Sequence, residues 1–401
     1  MKDTSKKFVI KEATRKRCQV FPYDEKSKKR FMPISLEHFE YLKDAKSIDF
    51  SLYFRNHKEI IEFIKPNELS HELLVQMQGA TLIADADVEV CLLRSDYPRY
   101  EMVITEARKR KMKNVFERDQ TLDVNVMEVY GTLSAASQMI VRGGINAEVA
   151  SKATDAATMI MQIQLKHEVA LGTLSRMVQC DSTLYDHSAS VAMLSSIIAT
   201  RILKKPLSLK EAVLVAQCGL YHDAGKACVP NHVLNKPGIF SEEEFEVMKN
   251  HTLYGHDELM KAIRTGAPID PLAARVALEH HERFNGMGYP HKKKGRLEED
   301  PNGIHLYTRI VAIADVYSAL LMKRVYKEAM SSQEAIELMK TFADRDFDPE
   351  IFAPFYDSIH ASIETFKQRE KQLKGGVVKM IGENDSFIQA IIETKRESSK
   401  K

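Results

Sequence analysis

Apolar residues follow a helical period along most of the chain after residue 120. Between residues 120 and 180 they recur every three or four positions almost without interruption. Further apolar runs begin behind the capping residues Ser208, Ser241 and Asp270, and Pro271 occupies the first helical position after the last of these. The pattern therefore predicts a bundle of helices over the larger, C-terminal part of the chain.

The N-terminal part has a different pattern, in which short alternating runs are separated by polar residues. Residues 70–79 are typical of a short helix that ends at a glycine. Four runs predict strands, namely residues 48–54, 60–64, 81–84 and 88–93. The mixture predicts a small α/β or α+β domain over residues 1–118. Its role is expected to be regulatory or structural, because it contains no acid/base pair, phosphate loop or metal-ligand spacing.

The rest of the chain divides into three parts. Residues 119–180 are predicted to be linking or dimerisation helices, because their methionine-rich apolar positions favour helix packing or a homodimer seam over a cofactor site. Residues 181–365 carry the candidate chemistry. Residues 366–401 are rich in lysine and glutamate, which predicts a polar C-terminal tail with a helix that frays at its end.

Composition and charge exclude several classes of protein. The chain has 401 residues, a formal net charge of +2, 44% hydrophobic residues and 28% charged residues, which is typical of a water-soluble protein without a DNA partner. The basic run within residues 1–30 is expected to be a solvated lead-in, because no aromatic or helical pattern accompanies it. Five cysteines without a CxxC pair favour reduced thiols. With no signal-peptide core and no apolar run of membrane-spanning length, we expect a cytoplasmic protein.

Histidines and aspartates stand on the apolar faces of five predicted helices. His222 and Asp223 end the helix that begins after Ser208, and a buried carboxylate there requires a cation or strong hydrogen-bond donors. Gly225 is expected to end this helix in the left-handed conformation. The other helices contribute His187, His251, the pair His280-His281, and Asp315. Each of these residues alone is more often structural, but five such helices in one span predict a metal centre.

The pair His280-His281 is followed by a loop with two glycines. Adjacent residues on a helix diverge by about 100°, so the two histidines would serve two neighbouring ions, or one ion and one substrate oxygen. In the loop, Gly286 and Gly288 permit positive φ angles and close approach to a ligand, and Pro290 stiffens the exit. We expect this loop to act as a lid.

Six motifs with this chemistry occur in a fixed order: His187, His222-Asp223-Ala224-Gly225-Lys226, His251, His280-His281-Glu282-Arg283, Gly288-Tyr289-Pro290 and Asp315. The ordered set resembles the HD-GYP family, a branch of the HD phosphohydrolases that cleaves the bacterial second messenger cyclic di-GMP. The similarity covers about residues 181–365 and marks them as the catalytic domain. It implies a mostly α fold, with an all-helical HD-type phosphohydrolase bundle preceded by the small N-terminal domain.

The resemblance also implies roles for individual residues. Its metal ligands correspond to His187, His222, Asp223, His251, His280, His281 and Asp315. Asp223 corresponds to the carboxylate that bridges two ions, and Asp223 and Lys226 are the expected catalytic residues. Substrate binding is expected at Asp181, Lys226, Gly288, Tyr289, Arg324 and Lys327.

The expected cofactor is a pair of divalent transition-metal ions. Histidines with a bridging carboxylate suit iron or manganese better than zinc. Thr183 stands where members of the family with three metals carry a glutamate, so a third ion is not expected. Further departures from the family pattern lie on the substrate side, at Phe284-Asn285, Ser318 and Val325.

The function that the resemblance implies is hydrolysis of cyclic di-GMP to pGpG, and to GMP after a second cut, by a hydroxide that bridges two metal ions. The expected partners are cyclic di-GMP and, through the Gly288-Tyr289-Pro290 loop, diguanylate cyclase (GGDEF) domains. Two alternatives remain open. The chain is either an HD hydrolase of another cyclic nucleotide, or a metal-loaded receptor or scaffold that binds the nucleotide with little or no turnover.

Overall fold

The structure is a computed structural model that describes residues 18–34, 38–56, 58–81, 88–162, 167–180, 186–234, 236, 238–296, 300–322 and 329–374. A five-stranded antiparallel sheet with short helices lies near the N-terminus, and helices form the rest of the described chain. This architecture confirms the predicted fold class, a mostly helical protein with a small mixed N-terminal part.

The sheet has the strand order β1-β4-β3-β5-β2, and every neighbouring pair is antiparallel. Its strands are β1 (Val20–Pro22), β2 (Phe31–Pro33), β3 (Leu52–Arg55), β4 (Glu59–Ile64) and β5 (Glu89–Leu93). The predicted runs at residues 60–64 and 88–93 form β4 and β5, whereas only the end of the run at residues 48–54 enters β3. The strand predicted at residues 81–84 is wrong at Thr81, which ends a helix, and residues 82–84 lie outside the described part.

Four helices accompany the sheet: α1 (Glu25–Arg30), α2 (Phe39–Leu42), α3 (His71–Thr81) and α4 (Tyr97–Arg118). The predicted helix at residues 70–79 corresponds to α3. The N-terminal half of α4 buries Tyr100, Ile104 and Ala107 in the core on one face of the sheet. The opposite face of the sheet carries a second, smaller cluster that includes Phe31 and Tyr53.

Thirteen helices are described after α4. They are α5 (Val124–Gly143), α6 (Ala147–Met159), α7 (His167–Cys180), α8 (His187–Ile197), α9 (Leu209–Tyr221), α10 (Asn231–Leu234), α11 (Glu242–Lys249), α12 (His251–Arg264), α13 (Pro271–Glu279), α14 (Leu306–Leu321), α15 (Ser332–Lys340), α16 (Ala343–Asp346) and α17 (Pro349–Lys374). The capping boxes predicted at Ser208 and Ser241 are present, and Asp270 caps α13. The helix that starts after Ser241 ends at Lys249, and His251 begins the next helix.

Helix α8 lies at the centre of the bundle. Ten consecutive residues, from Ser188 to Ile197, are buried on all its faces. It packs against α9 on one side and α14 on another, and α5 also contacts it. The side chains that these helices direct toward the N-terminal end of α8 therefore meet there.

The connection between α4 and α5 is anchored to distant parts of the chain. Arg176 of α7 pairs with Asp119 at 2.8 Å and with Glu370 of α17 at 2.6 Å. The Arg369 guanidinium donates to the carbonyl oxygen of Thr121 at 2.8 Å. Helix α17 thus extends beyond residue 366, where the polar tail was predicted to begin. The division of the chain into four parts stays a prediction.

No helix among the described residues combines the length and the apolar character that a membrane span requires. Among the described cysteines, Cys91, Cys218 and Cys228 are free thiols.

Candidate metal centre

The seven predicted metal ligands lie in one cluster at which five helices meet. His187 is the first residue of α8, and His251 is the first residue of α12. His222 and His280 cap the C-termini of α9 and α13 and are followed directly by the other two ligands of these segments. Asp315 lies in the middle of α14. Three overlapping groups have ligand atoms that all lie within 4.8 Å of one another: His187 with His222 and Asp223, His222 with His280 and Asp315, and His251 with His280 and His281.

Asp223 occupies the centre of the cluster, and its two oxygens face different histidines. Oδ1 lies 3.4 Å from Nε2 of His251 and 3.8 Å from Nε2 of His280. Oδ2 lies 3.3 Å from Nε2 of His222 and 3.7 Å from Nε2 of His187. A carboxylate in this position can coordinate one cation with each oxygen.

Asp315 approaches the cluster on the side of His187. Its Oδ1 lies 3.0 Å from Nε2 of His187 and 3.9 Å from Nε2 of His222. One helical turn later on α14, Ser318 places its Oγ 2.9 Å from Nδ1 of His187. Helix α14 therefore supplies a carboxylate to one ring nitrogen of His187 and a hydroxyl to the other.

Three of the histidines are oriented by the main-chain carbonyl group three residues earlier in the chain. Nδ1 lies 2.7 Å from the Gly219 oxygen in His222, 2.8 Å from the Met248 oxygen in His251, and 2.9 Å from the Ala277 oxygen in His280. A carbonyl oxygen only accepts hydrogen bonds, so Nδ1 of each ring carries the proton. In the neutral form the lone pair is then on Nε2, which faces the cluster, as in metal-binding histidines.

The donor set fits divalent cations. His222 and His280 are fully buried, and His251 and Asp223 are nearly so. Within the described part of the chain, Nε2 of His222 and Oδ1 of Asp223 are buried without a hydrogen-bond partner. Buried polar atoms without partners are costly, and a bound cation would satisfy both of these atoms. Imidazole nitrogens with carboxylate oxygens suit first-row transition metals.

The ionisation of the cluster is compatible with metal binding near neutral pH. Burial lowers the pKa of His281 to about 3, and burial together with the neighbouring histidines lowers the pKa of His280 well below its usual value. Burial alone would raise the pKa of Asp223, but Lys226 and the nearby histidines outweigh it and hold that pKa well below its usual value. Asp315 shows the same direction, because His187 and His222 outweigh its burial. His222 is the exception: the two aspartates outweigh its burial and raise its pKa.

Gly225 lies where the turn after α9 meets α12, and its conformation differs from the prediction. It is not in the left-handed conformation but lies in a 3-10 turn, Ala224–Cys228, after α9. A Cβ atom at this position would lie 2.0 Å from the His251 carbonyl oxygen and 2.3 Å from the Gly255 nitrogen. The glycine is therefore required by the close approach of this turn to α12, which brings Asp223 next to His251.

The glycine loop covers His281. The ring of Tyr289 stacks on the ring of His281 with 4.8 Å between their centroids, and the Tyr289 N–H donates to the His281 carbonyl oxygen. Gly286 has a positive φ of 80°, as predicted for the loop. Gly288 does not, but a Cβ there would lie 2.4 Å from the His281 oxygen, so its role is close packing.

Glu282 connects the C-terminal end of the loop to the histidine pair through hydrogen bonds. Its carboxylate, almost fully buried, accepts the N–H groups of His291 at 2.7 Å and Lys293 at 2.9 Å. Because Glu282 follows His281 directly, the loop and the histidine are fixed together. At the outer rim, the Phe245 ring meets Tyr289 edge-on and the Lys249 ammonium lies 5.7 Å from the Tyr289 centroid.

Comparison with known proteins agrees with this geometry. The family model described as "HD domain" matches residues 157–351. A cyclic di-GMP phosphodiesterase of Pseudomonas aeruginosa, PA4108, is 36% identical over 208 residues, which are 52% of this chain and 47% of the relative. A cyclic di-GMP phosphodiesterase of Thermotoga maritima is 35% identical over 48% of each chain. Residues 157–351 are thus similar to known HD domains.

The matched HD domain, together with these relatives, confirms the resemblance to the HD-GYP family. The chain spans about half the length of these two relatives. A 3'3'-cGAMP-specific phosphodiesterase of Vibrio cholerae is 32% identical over 45% of this chain and 36% of the relative. A solved structure, described as Bd1817, a HDG"Y"P protein from Bdellovibrio bacteriovorus, covers 82% of this chain and 98% of its own at 18% identity and a TM-score of 0.49.

Three of the predicted substrate residues lie in the described part of the chain and three do not. Lys226, Gly288 and Tyr289 lie beside the cluster, and Lys226 Nζ is 2.6 Å from Asp223 Oδ2. Asp181, Arg324 and Lys327 lie outside the described residues, as does Thr183.

Sequence reasoning assigned no role to the residues that support the cluster. Glu282 directly follows the pair His280-His281, and this position is its only signal in the sequence. Ser318 stands out in the sequence only as a departure from the family pattern, and its spacing of three residues from Asp315 on one helix could have suggested a shared partner.

Proposed function

We propose that this chain is a metal-dependent phosphodiesterase that hydrolyses cyclic di-GMP to linear pGpG. The observation that carries the proposal is the central position of Asp223, whose two oxygens face two sets of histidines. The names of the curated relatives support the substrate. The unpartnered atoms on His222 and Asp223 support metal dependence.

Two ions, iron or manganese, would be held by two overlapping sets of ligands. One set is His187, His222, Asp223 and Asp315, and the other is Asp223, His251, His280 and His281. When bound, such ions supply Lewis acidity, which makes a water molecule acidic near neutral pH and neutralises charge on phosphoryl oxygens. We expect no third ion, because Thr183 replaces the glutamate of members with three metals.

The residues of the chain would bind and orient the phosphodiester. The Lys226 ammonium is paired with Asp223 but about one third exposed, so it can also donate to a non-bridging phosphoryl oxygen as negative charge grows there. Tyr289 covers His281 and would limit the access of bulk water. In the reaction the oxygen of water bonds to phosphorus, the bond from phosphorus to the 3′ oxygen breaks, and a proton ends on that 3′ oxygen. The product is a linear dinucleotide with a 5′ phosphate, and a second cut of the same kind would give GMP.

Further roles are proposed from the family resemblance. Asp181, Arg324 and Lys327 would contact the nucleotide together with Gly288 and Tyr289. The loop at Gly288-Tyr289-Pro290 would bind GGDEF domains, and the helices at residues 120–180 would form a homodimer.

The proposal is tested with protein purified without oxygen. Metal analysis is expected to find two iron or manganese ions per chain, and chromatography is expected to show pGpG formed from cyclic di-GMP. Prolonged treatment with a chelator should abolish the product, and adding back Mn²⁺ should restore it. Nucleotide binding without any product would instead support the receptor alternative.

A second substrate is favoured by the relatives that act on 3'3'-cGAMP. Competition between equal concentrations of the two cyclic dinucleotides separates the alternatives. If cyclic di-GMP is the substrate, its kcat/KM is the higher one. A higher kcat/KM for 3'3'-cGAMP would reassign the substrate while leaving the metal chemistry in place.

A further inference from the structure

We propose that Tyr130 and Ser134, on α5, are positioning residues for the metal ligand His187; this inference rests on the proposed metal centre. Both side chains are buried. The Tyr130 hydroxyl donates to the main-chain oxygen of Asp186 at 2.9 Å and accepts a short hydrogen bond from the Asp186 N–H. Ser134 Oγ donates to Oδ2 of Asp186 at 3.1 Å. Asp186 directly precedes His187, so α5 holds the residue that sets where His187 begins.

Asp186 is also the N-cap of α8. Its Oδ1 accepts the Ala189 N–H at 2.9 Å, as an N-cap aspartate normally does. An N-cap aspartate needs hydrogen bonds only with N–H groups of the helix that it begins. Here the main-chain N–H, the main-chain oxygen and the second carboxylate oxygen of Asp186 are all bound by α5, which exceeds what capping requires. The additional contacts fix the start of α8 relative to α5.

His187 differs from the other histidines in how it is oriented. His222, His251 and His280 are each fixed by a carbonyl group three residues earlier in the chain. The ring of His187 is instead contacted by Asp315 and Ser318 of α14, while its main chain is held through Asp186 by α5. The position of His187 therefore depends on how α5, α8 and α14 are spaced. A shift of α5 would disturb the set of metal ligands that contains His187.

Helix α5 also follows directly from α4, which packs against the N-terminal sheet. A displacement of α5 would move the hydroxyl of Tyr130 and with it the start of α8. The contacts of Tyr130 and Ser134 thus connect α5, the helix that follows α4 in the chain, to the start of α8 and to His187.

The test is calorimetric titration of Mn²⁺ into metal-free full-length protein. The variants are Tyr130→Phe, which removes only the hydroxyl, and Ser134→Ala, which removes only the bond to Oδ2. The matched control is Tyr100→Phe, because Tyr100 is an equally buried tyrosine whose hydroxyl bonds to His38 at 2.6 Å in the N-terminal part. Thermal unfolding followed by circular dichroism shows whether each variant folds.

For the unmodified protein we expect two Mn²⁺ ions. In Tyr130→Phe one of the two affinities should fall by about tenfold, the size of effect that partners of metal-binding histidines have, while the other stays unchanged. Ser134→Ala should shift the same affinity by a smaller factor, and Tyr100→Phe should change neither.

Two results would overturn this inference and leave the proposed function intact: unchanged affinities in Tyr130→Phe, or an equal loss at both sites. An unmodified protein that binds no divalent ion would overturn the proposed function and this inference together.

Discussion

The ring of Tyr289 lies nearly parallel to the ring of His281, at an angle of 24°, and shields this histidine from the solvent side. The two residues are also joined by the hydrogen bond from the Tyr289 N–H to the His281 carbonyl oxygen. The glycine loop is therefore fixed to His281 by both a ring contact and a main-chain hydrogen bond.

Replacing Tyr289 with alanine is expected to lower kcat/KM for cyclic di-GMP by about fivefold or more. A stacked aromatic pair contributes about 1 kcal/mol, and its loss also admits water to His281. Tyr289→Phe keeps the ring and should retain the metal content and most of kcat/KM. Steady-state kinetics with metal analysis of the same samples makes the comparison, and an alanine variant with the activity of the unmodified protein would show that the stacking has no catalytic role.

Ser318→Ala is expected to weaken Mn²⁺ binding by about tenfold or more, because Ser318 is the hydrogen-bond partner of Nδ1 in His187. Ser195→Ala is a matched control. Ser195 is a fully buried serine on α8 whose Oγ has no hydrogen-bond partner in the described part of the chain. Competition with a chelator of known affinity measures both variants, and equal affinities in the two would contradict the role of Ser318.

Gly225→Ala is expected to destabilise the protein by about 1–3 kcal/mol, because the added methyl group overlaps main-chain atoms of α12. The same shift would separate Asp223 from His251 and reduce metal content. Gly131→Ala on α5 is the control. Its Cβ would meet only the side chain of Met112, at 3.4 Å, and alanine favours a helix by about 0.5–1 kcal/mol. Chemical unfolding measures the free energy of unfolding of both variants. Equal values for Gly225→Ala and Gly131→Ala would refute the close approach at Gly225.

Asp119, between α4 and α5, is expected to make the stability of the fold depend on pH. Burial opposes ionisation, but hydrogen bonds from Thr121 and Arg176 outweigh it and lower the pKa of Asp119. A carboxyl whose folded pKa lies below its unfolded value of about 3.9 stabilises the fold above that pH, and this contribution is lost as the pH falls through the folded pKa. Asp119→Asn should therefore lower the melting temperature at pH 6, and the difference should narrow below a pH of about 3.9. A difference that is constant with pH would contradict this assignment.

Much of the bundle could be predicted from local signals. The capping residues Ser208 and Asp270 and the apolar period behind them specify helices, and a histidine or aspartate on an apolar face is visible in the sequence. The same signals fail for β1 and β2, because three residues are too few to show a period.

Other features depend on contacts between distant segments. Gly225 looked like a helix end, but its importance comes from α12, which packs on it from about thirty residues away in sequence. The bonds from Tyr130 and Ser134 to Asp186 join residues more than fifty positions apart. No pattern along the chain indicates such pairs, so the residues that support His187 could be found only in the folded structure.

In the proposed mechanism Asp223 joins two metal sites, which together hydrolyse a cyclic dinucleotide. The most direct measurement compares the unmodified protein with Asp223→Asn, both purified without oxygen, for metal content and for pGpG formed from cyclic di-GMP. We expect two ions and pGpG for the unmodified protein. For Asp223→Asn we expect fewer than one ion per chain and a loss of turnover of at least about a hundredfold. Turnover that persists in Asp223→Asn, or in unmodified protein from which all metal has been removed, would refute this mechanism.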